Sequence, residues 1–343
     1  MTEFIDPEEV LCGKYTELFE LLGRSKNVVF FTGAGISTAA NIPDFRGDKG
    51  VDKSPLNIAQ IGASERDLDS KMPTFGHRAI SVLLERDSRF KFLATSNHDG
   101  LHQKSGTPWE KSANIFGTAY IEECLVCRTQ YTRKVIVPAL HRKCDNTDCN
   151  GKMKKTGVRY GQTVPVGPLR LAEEAAKAAD LVLVLGSSMT TSPFCDLPSL
   201  SDNYVICNRQ TTPFDKGAKI CIHDNVDNFM TRLLHETLPN ANLDLEYRQE
   251  FVIKELDSSI IITTPQHNEP AVFIDTAIAR NSAGNSRSFE CSLLGVFSLP
   301  RESVEDGSEV EIEFKEGFEV ENVKVVFKAG EVNCGALVKH LQF

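Results

Sequence analysis

Four cysteines near the middle of the chain have the residue type and spacing of a metal site. Cys124 and Cys127 enclose two residues, and Cys144 and Cys149 follow after a further 16 residues. Polar and basic residues surround them, which argues against a hydrophobic core as their location. Zinc prefers four thiolates in a closed tetrahedral structural site, and paired cysteines of this kind are typical of one. We therefore predict one structural Zn2+ bound by these four residues, with no coordination position left for a substrate.

A second candidate site is a glycine turn. The apolar run at residues 27–31, NVVFF, leads into Gly33-Ala34-Gly35-Ile36-Ser37-Thr38. Such a run is typical of a buried parallel strand that enters a glycine turn. Backbone amides at the start of a following helix can bind a pyrophosphate, and small residues allow its close approach. Gly-x-Gly alone is a weak signal because the third glycine is absent, so an ordinary strand-to-helix turn is the alternative.

The elements that would position these residues alternate along the first 240 residues. Helices are predicted at residues 9–24 and 169–179, and further strands at 181–185, 204–207 and 219–222. This alternation predicts an α/β fold with a doubly wound, Rossmann-like parallel sheet, whose ligands bind at the carboxyl ends of the strands. The zinc-binding module is predicted to be inserted at about residues 120–156.

The composition changes again after residue 240. Residues 309–314, EVEIEF, and 323–327, VKVVF, alternate with the period of half-buried strands. We predict one domain at residues 1–240 and a β-rich C-terminal domain of unknown role at 245–343. An acidic, partly ordered tail is the alternative, but the apolar run at residues 259–262 argues against pure disorder.

Length and charge narrow the class of protein. The chain has 343 residues, which favours two domains over one. Residues 241–343 carry 18 acidic and 9 basic side chains, which leaves 29 of each for the first 240, so neither part has the basic excess of a nucleic-acid-binding domain. No apolar run has the length of a membrane span and no signal peptide is apparent, so we expect an intracellular protein without a membrane partner.

Several longer motifs carry a family resemblance. The glycine turn continues to Pro43-Asp44-Phe45-Arg46, residues 96–102 read SNHDGLH, and residues 116–124 read FGTAYIEEC. Together with the turn at residues 186–188 and the pair in ICNRQ, these motifs resemble the sirtuin family over about residues 10–238, nearest its nuclear, chromatin-associated branch. The resemblance implies NAD as cofactor, contacted by Gly33, Ala34, Gly35, Ser37, Thr38, Asp44, Phe45, Arg46, Gly186, Ser187, Ser188, Asn208, Gln210 and Val226.

The same resemblance assigns the catalytic positions. Asn97 and Asp99 stand where sirtuins recognise the ribose and release nicotinamide. Phe116 stands where the family has its proton-accepting histidine, and Thr118 replaces the asparagine that follows it. Since a phenyl ring has no lone pair, we expect NAD to bind and deacylation of protein lysine to be weakened.

Three functions remain open at this point. The first is an active NAD-dependent deacylase that uses another base, His98 or His102. The second is a pseudoenzyme or scaffold that binds NAD or ADP-ribose. The third is a mono-ADP-ribosyltransferase or NAD glycohydrolase, whose steps depend less on the histidine.

The resemblance also implies a partner and a location. The substrate would be an acylated protein or peptide, bound as an extended strand between the zinc module and the nucleotide domain. Histone tails are one candidate, because the C-terminal region is acidic. The location implied is the nucleus, with the cytoplasm as the alternative.

Overall fold

The computed structural model describes residues 2–44, 68–133, 136, 142–159, 161–256, 258–263, 274–291, 297–314 and 321–342. Within these ranges five α-helices and 18 β-strands are present. None of the described helices is both long and apolar enough to cross a bilayer. The helices are α1 (Glu8–Arg24), α2 (Phe75–Arg86), α3 (Leu101–Lys104), α4 (Val166–Ala178) and α5 (Val226–Thr237).

A six-stranded parallel sheet forms the centre of the first 240 residues. Its strands are β1 (Val28–Thr32), β2 (Phe90–Thr95), β3 (Ser112–Asn114), β7 (Leu181–Leu185), β8 (Tyr204–Cys207) and β9 (Ile220–Ile222). They lie in the order β3-β2-β1-β7-β8-β9, and every neighbouring pair is parallel. The strand order reverses between β1 and β7, so the ligand crevice of such a sheet is expected at their carboxyl ends. The predicted doubly wound fold class is confirmed.

Apolar side chains at helical spacing hold the helices on this sheet. On α1, Leu11, Tyr15, Leu18 and Leu22 recur every three or four residues and are buried in one cluster with β1 and α5. Local capping fixes where two other helices begin. Asn225 caps α5 through the Asp227 amide, and a capping box opens α2.

Two strands of the sheet were not predicted from the sequence patterns. β2 contains the exposed Lys91 within FKFLAT, which interrupts a continuous apolar run. β3 has three residues, SAN, and no β-branched or aromatic side chain. β3 is nevertheless buried at the edge of the sheet, where it pairs with β2, and β2 pairs in turn with β1 and is buried over residues 93–95. Pairing with the neighbouring strands, and not the local sequence pattern, therefore determines that these residues form strands.

The zinc module is a separate three-stranded antiparallel sheet. It contains β4 (Ile121–Cys124), β5 (Gln130–Thr132) and β6 (Met153–Lys155), with β4 in the centre. A buried ion pair supports it, since Arg133 Nε donates to Glu122 Oε2 over 2.8 Å and both side chains are 1% exposed.

After α5, two antiparallel sheets pack on a common apolar core. One sheet has the order β14-β15-β11-β10-β18 and the other β13-β12-β16-β17. Their strands are β10 (Leu245–Leu256), β11 (Ser259–Thr263), β12 (Ile274–Arg280), β13 (Ser286–Ser288), β14 (Glu290–Cys291), β15 (Phe297–Pro300), β16 (Glu309–Phe314), β17 (Val323–Val326) and β18 (Asn333–Leu341). The alternation of EVEIEF produces a strand whose even-numbered residues are buried. The domain boundary at residues 240–245 stays a prediction.

Candidate functional site

The carboxyl ends of the parallel strands bring the predicted cofactor residues to one edge of the sheet. The glycine turn follows β1, Asn97 and Asp99 follow β2, and Phe116 follows β3. Gly186 follows β7, and Asn208 follows β8. Residues separated by more than a hundred positions in the sequence thus lie at the same edge of the sheet, where a topological switch point is expected to bind a ligand.

The two glycine turns touch at the centre of this crevice. Gly35 N donates to Gly186 O over 2.8 Å, and Gly33 N donates to Leu185 O. A Cβ on Gly35 would lie 2.8 Å from Gly186 Cα, and Gly186 itself has a φ of +60°. Only glycine fits at this contact, because a side chain would collide with backbone on the opposite turn.

The segment after β1 differs from the predicted α-helix start. Ala34–Ala40 is a seven-residue 3-10 helix, and it ends at Asn41 in the left-handed region. Its early amides are already used, since Ile36 N donates to Gly33 O and Gly35 N to the facing turn. The physical reason is the crossing of the two glycine turns, which consumes amides that the sequence pattern assigned to a pyrophosphate.

Replacing Gly186 with alanine is expected to abolish NAD binding and to destabilise the fold. The new Cβ would lie 2.6 Å from Ile36 N, in addition to the cost of a positive φ. Gly284→Ala is the matched control, because Gly284 has a φ of +82° but no atom within 4 Å of the added Cβ. The control is expected to lose only about 1–2 kcal/mol. Chemical denaturation and NAD titration measure both effects, and equal losses in the two variants would contradict the clash.

A hydrogen-bond network connects the glycine turn to the end of β2. Asn97 Nδ2 donates to Gly33 O over 3.1 Å and to Ser37 Oγ over 3.2 Å. Ser37 Oγ donates to Asp99 Oδ2 over 2.6 Å, and Asp99 Oδ1 accepts from the Leu101 amide. Asn97, Asp99 and Ser37 are all buried, so the predicted catalytic pair is held rigidly against the predicted cofactor turn.

Two buried histidines lie behind this network, and sequence patterns gave no signal for the first. The Thr74 amide donates to His77 Nδ1, which leaves the proton on Nε2, 3.5 Å from Ser37 Oγ. His102 Nε2 lies 2.9 Å from Thr32 Oγ1, and the two rings are 4.6 Å apart. Burial lowers the pKa of His77 to about 3. Burial, and then the neighbouring His77, lower the pKa of His102 well below its ordinary value.

Because these two histidines are buried, we expect the free energy of unfolding of the protein to fall in mild acid. Below pH ~6.5 the unfolded chain binds protons on both rings and the folded chain does not, so the free energy of unfolding falls with pH. Each ring is expected to contribute up to about 1.4 kcal/mol per pH unit below that value. Urea unfolding at pH 7, 6 and 5 measures the slope. His77→Gln is expected to make the slope shallower by one histidine's share, and an unchanged slope would contradict the assignment.

An open, polar cleft runs from the glycine turns along the ends of β8 and β9. Seven of the predicted cofactor residues line it, namely Gly35, Thr38, Asp44, Gly186, Asn208, Gln210 and Val226. Four further lining residues were not predicted, namely Glu3, Arg209, Asp224 and Asn225. The polar groups that converge here, at the switch point of the sheet, suit part of a dinucleotide.

The remaining predicted cofactor residues lie around this cleft or outside the residues that the structure describes. Ser187 is buried, and its Oγ accepts from the Met189 amide. Ser188 Oγ lies 3.0 Å from Thr190 Oγ1. Ala34 is half-buried at the start of the 3-10 helix. Phe45 and Arg46 lie outside the described residues.

Phe116 is half-buried beside the seam between the sheet and the zinc module. Its side chain packs against the apolar cluster on one face of the sheet. Its carbonyl oxygen accepts from the Val158 amide over 2.9 Å, and Thr118 O accepts from the Gly157 amide over 3.2 Å. His98 lies close to Gly157 in the same seam: its Nδ1 atom is 3.5 Å from the position that a Cβ on Gly157 would occupy.

The four predicted zinc ligands converge in the antiparallel module. Their sulfur atoms all lie within 4.8 Å of one another. Cys124 Sγ is 3.7 Å from Cys149 Sγ, and Cys127 Sγ is 3.6 Å from Cys144 Sγ. Tetrahedral zinc with Zn–S bonds of about 2.3 Å places its sulfur atoms about 3.8 Å apart. The geometry therefore fits the predicted structural Zn2+.

Comparison with known proteins agrees with this architecture. The Sir2 family model matches residues 33–193. The chain is 39% identical to the NAD-dependent protein deacetylase SRT1 of Arabidopsis thaliana over 66% of this chain, and it spans 50% of that protein's length. It is 34% identical to the NAD-dependent protein deacetylase Sirt6 of Drosophila melanogaster over 67% of this chain and 77% of that protein.

A solved structure shares the fold. A Sir2 protein bound to a p53 peptide and NAD+ superposes with a TM-score of 0.51 at 29% identity, over 64% of this chain and 97% of that one. The chain spans about half the length of the plant relatives that it matches. The prediction of NAD as a cofactor agrees with these NAD-dependent relatives, and the prediction of zinc agrees with the four-cysteine cluster. This chain belongs to the Sir2 family.

Proposed function

We propose that this chain binds NAD and uses it, at a low rate, to remove acyl groups from protein lysine, with nicotinamide and O-acyl-ADP-ribose as products. The observation that carries the proposal is the network of Asn97, Ser37 and Asp99 on the glycine turn, with Phe116 at the end of the adjoining strand. NAD would supply the ribose carbon that receives the acyl oxygen. The network holds the residues that the family uses for ribose recognition and nicotinamide release.

Phe116 is the reason for the low rate. Proton transfer to a positioned side chain typically contributes ~100- to ~10,000-fold in rate, and phenylalanine can accept no proton. His102 is a poor substitute because it is buried and bonded to Thr32. A proton on His102 Nδ1 would find no acceptor among the described residues. His98 is half-buried near the seam and is the alternative base that an active enzyme would require.

A second candidate function is binding without lysine deacylation. The described part of the predicted cofactor site keeps the network of Asn97, Ser37 and Asp99, whereas Phe116 replaces the proton acceptor. This combination favours a pseudoenzyme, or an enzyme limited to ADP-ribosyl transfer or NAD cleavage. These steps need nicotinamide loss but not the later proton relay. The retained contacts of Asn97 and Asp99 support this candidate.

One experiment separates these functions. The zinc-loaded 343-residue chain is titrated calorimetrically with NAD, and nicotinamide release is then measured with and without an acetylated peptide. We expect NAD binding and slow release that depends on the peptide. Release without peptide would favour NAD cleavage, and binding without any release would favour a scaffold. Absence of NAD binding by the folded, zinc-loaded chain would overturn the proposal.

We propose an acylated peptide as the substrate and histone tails as its source. The support is the family resemblance, which places the peptide between the zinc module and the nucleotide domain, and the seam at residues 116–118 and 156–158 joins these two parts. The acidic residues 241–343 would attract a basic tail. Loss of histone-peptide binding on deletion of residues 245–343 would support this role for the acidic region, and unchanged binding would refute it.

We also propose a nuclear location. The support is the resemblance to the chromatin-associated branch of the family. Imaging of a fluorescent fusion in living cells tests the proposal directly. Signal confined to the cytoplasm would contradict it.

A further inference from the structure

The segment at residues 2–6, here called the strap, crosses the end of the cofactor cleft. Phe4 N donates to Arg209 O over 2.9 Å, and Asp6 N donates to His223 O over 2.8 Å. The His223 amide in turn donates to Asp6 Oδ2, and Lys14 Nζ lies 2.5 Å from the same oxygen. The strap is therefore fixed in register against the loops that follow both β8 and β9.

This register places one carboxylate in the cleft. Glu3 lines the cleft together with Asn208, Arg209 and Gln210. Glu3 Oε2 lies 3.1 Å from Arg209 Nη2, with the Glu3 side chain 16% exposed and the Arg209 side chain 40% exposed. The Phe4 ring packs 4.2 Å from the His223 ring, which holds the strap from the outer side. The strap thus contributes a side chain to a site built mainly from residues two hundred positions away.

The position of Glu3 within the cleft identifies the part of the ligand that it faces. The glycine turns occupy one end of the cleft, beside the network of Asn97 and Asp99 that would face the nicotinamide ribose. The ends of β8 and β9 occupy the other end, which leaves it for the adenosine. In dinucleotide-binding sheets an acidic side chain at the adenosine end bonds the ribose 2′-hydroxyl, and an unpaired arginine there accommodates a 2′-phosphate. Glu3 supplies an acidic side chain at this end of the cleft, and it pairs with the arginine there, Arg209.

A further carboxylate reinforces this discrimination. Asp224 lines the same end of the cleft and is buried, and its oxygens accept from Tyr15 Oη and the Asn225 amide. These donors fix the position of the carboxylate. A 2′-phosphate would therefore meet two carboxylates and an arginine that is already paired, so it would be repelled.

We propose that Glu3, positioned by the strap, makes the cleft selective for dinucleotides and ADP-ribose with a free 2′-hydroxyl and excludes their 2′-phosphorylated counterparts. The inference rests on the proposed function, since it requires NAD to occupy this cleft. It names a specificity residue outside the part of the chain that the Sir2 family model matches. The expected preference of the natural protein for NAD over NADP is about tenfold or more, the value of one charged hydrogen bond.

The test is calorimetric titration of the zinc-loaded 343-residue chain with NAD and with NADP. Glu3→Gln is expected to reduce the preference for NAD by about tenfold, because it frees Arg209 for a phosphate. Glu3→Gln combined with Arg209→Met is expected to lose the gained NADP affinity. Glu17→Gln, on the exposed surface of α1, is the control and is expected to keep the natural ratio. Thermal unfolding verifies that each variant is folded.

The outcomes separate the inference from the proposed function. If the natural chain binds NAD but the ratio is unchanged in Glu3→Gln, the role of Glu3 is wrong while cofactor binding stands. Equal affinity of the natural chain for NAD and NADP also overturns it. If neither dinucleotide nor ADP-ribose binds the natural chain, the proposed function itself fails. If Glu3→Gln does not fold, Glu3→Asp replaces it in the test. Aspartate withdraws the carboxylate by one methylene, so this variant is also expected to prefer NAD less strongly. An unchanged ratio of NAD to NADP affinity in Glu3→Asp overturns the inference.

Discussion

Replacing Phe116 with histidine is expected to raise the rate of lysine deacetylation ~100- to ~10,000-fold. The imidazole would stand at the carboxyl end of β3, beside the network of Asn97 and Asp99, and would accept the proton that a phenyl ring cannot take. An imidazole accepts a proton only when neutral, so the gain is expected to develop as pH rises through ~6.5. Initial rates with an acetylated histone peptide and saturating NAD, measured from pH 6 to 8, test both statements.

The matched control is Phe116→Leu. It keeps an apolar side chain against the same cluster but adds no base, so its rate is expected to stay at the level of the natural chain. NAD affinity is expected to change little in either variant, because Phe116 is not among the residues that line the cleft. A natural chain that deacetylates as fast as Phe116→His would show that another base, such as His98, already acts.

Removal of zinc is expected to unfold the antiparallel module and to abolish peptide-dependent activity. Apparent zinc binding in four-cysteine sites is worth ~10 kcal/mol, which is comparable to the whole stability of a domain. The buried pair of Arg133 and Glu122 cannot hold the module alone, since desolvation offsets much of its attraction. Because β4 continues from the Phe116 loop, the loss would spread to the seam at residues 116–118. Metal content and thermal unfolding after chelation measure the effect.

Cys127→Ser tests the same site genetically. It removes one thiolate from the cluster, and zinc content and melting temperature are both expected to fall. Cys12→Ser is the control, because Cys12 is an exposed, unpaired cysteine on α1. Its metal content and melting temperature are expected to match the natural chain. A Cys127→Ser protein that retained zinc and full stability would rule out the four-cysteine site.

The elements that sequence reasoning located are those with continuous patterns. The strand at residues 181–185 and the strand at 204–207 are present at the predicted residues, because unbroken apolar runs with β-branched side chains belong in a buried parallel sheet. Helix α1 lies within one residue of its predicted start, since its apolar spacing is regular. β2 and β3 were missed because one contains an exposed lysine and the other is three residues long.

By itself the sequence determined the chemistry that each position can offer. Cysteine spacing selects zinc, two glycine turns permit close crossing of backbones, and a phenyl ring at position 116 excludes proton transfer there. Tertiary structure alone decided which groups meet. Ser37 reaches Asp99 across 62 positions, and Glu3 reaches Arg209 across the whole sheet domain. Local propensity carries no signal for such pairs, because their distance is set by strand order and by the packing of α1 on the sheet.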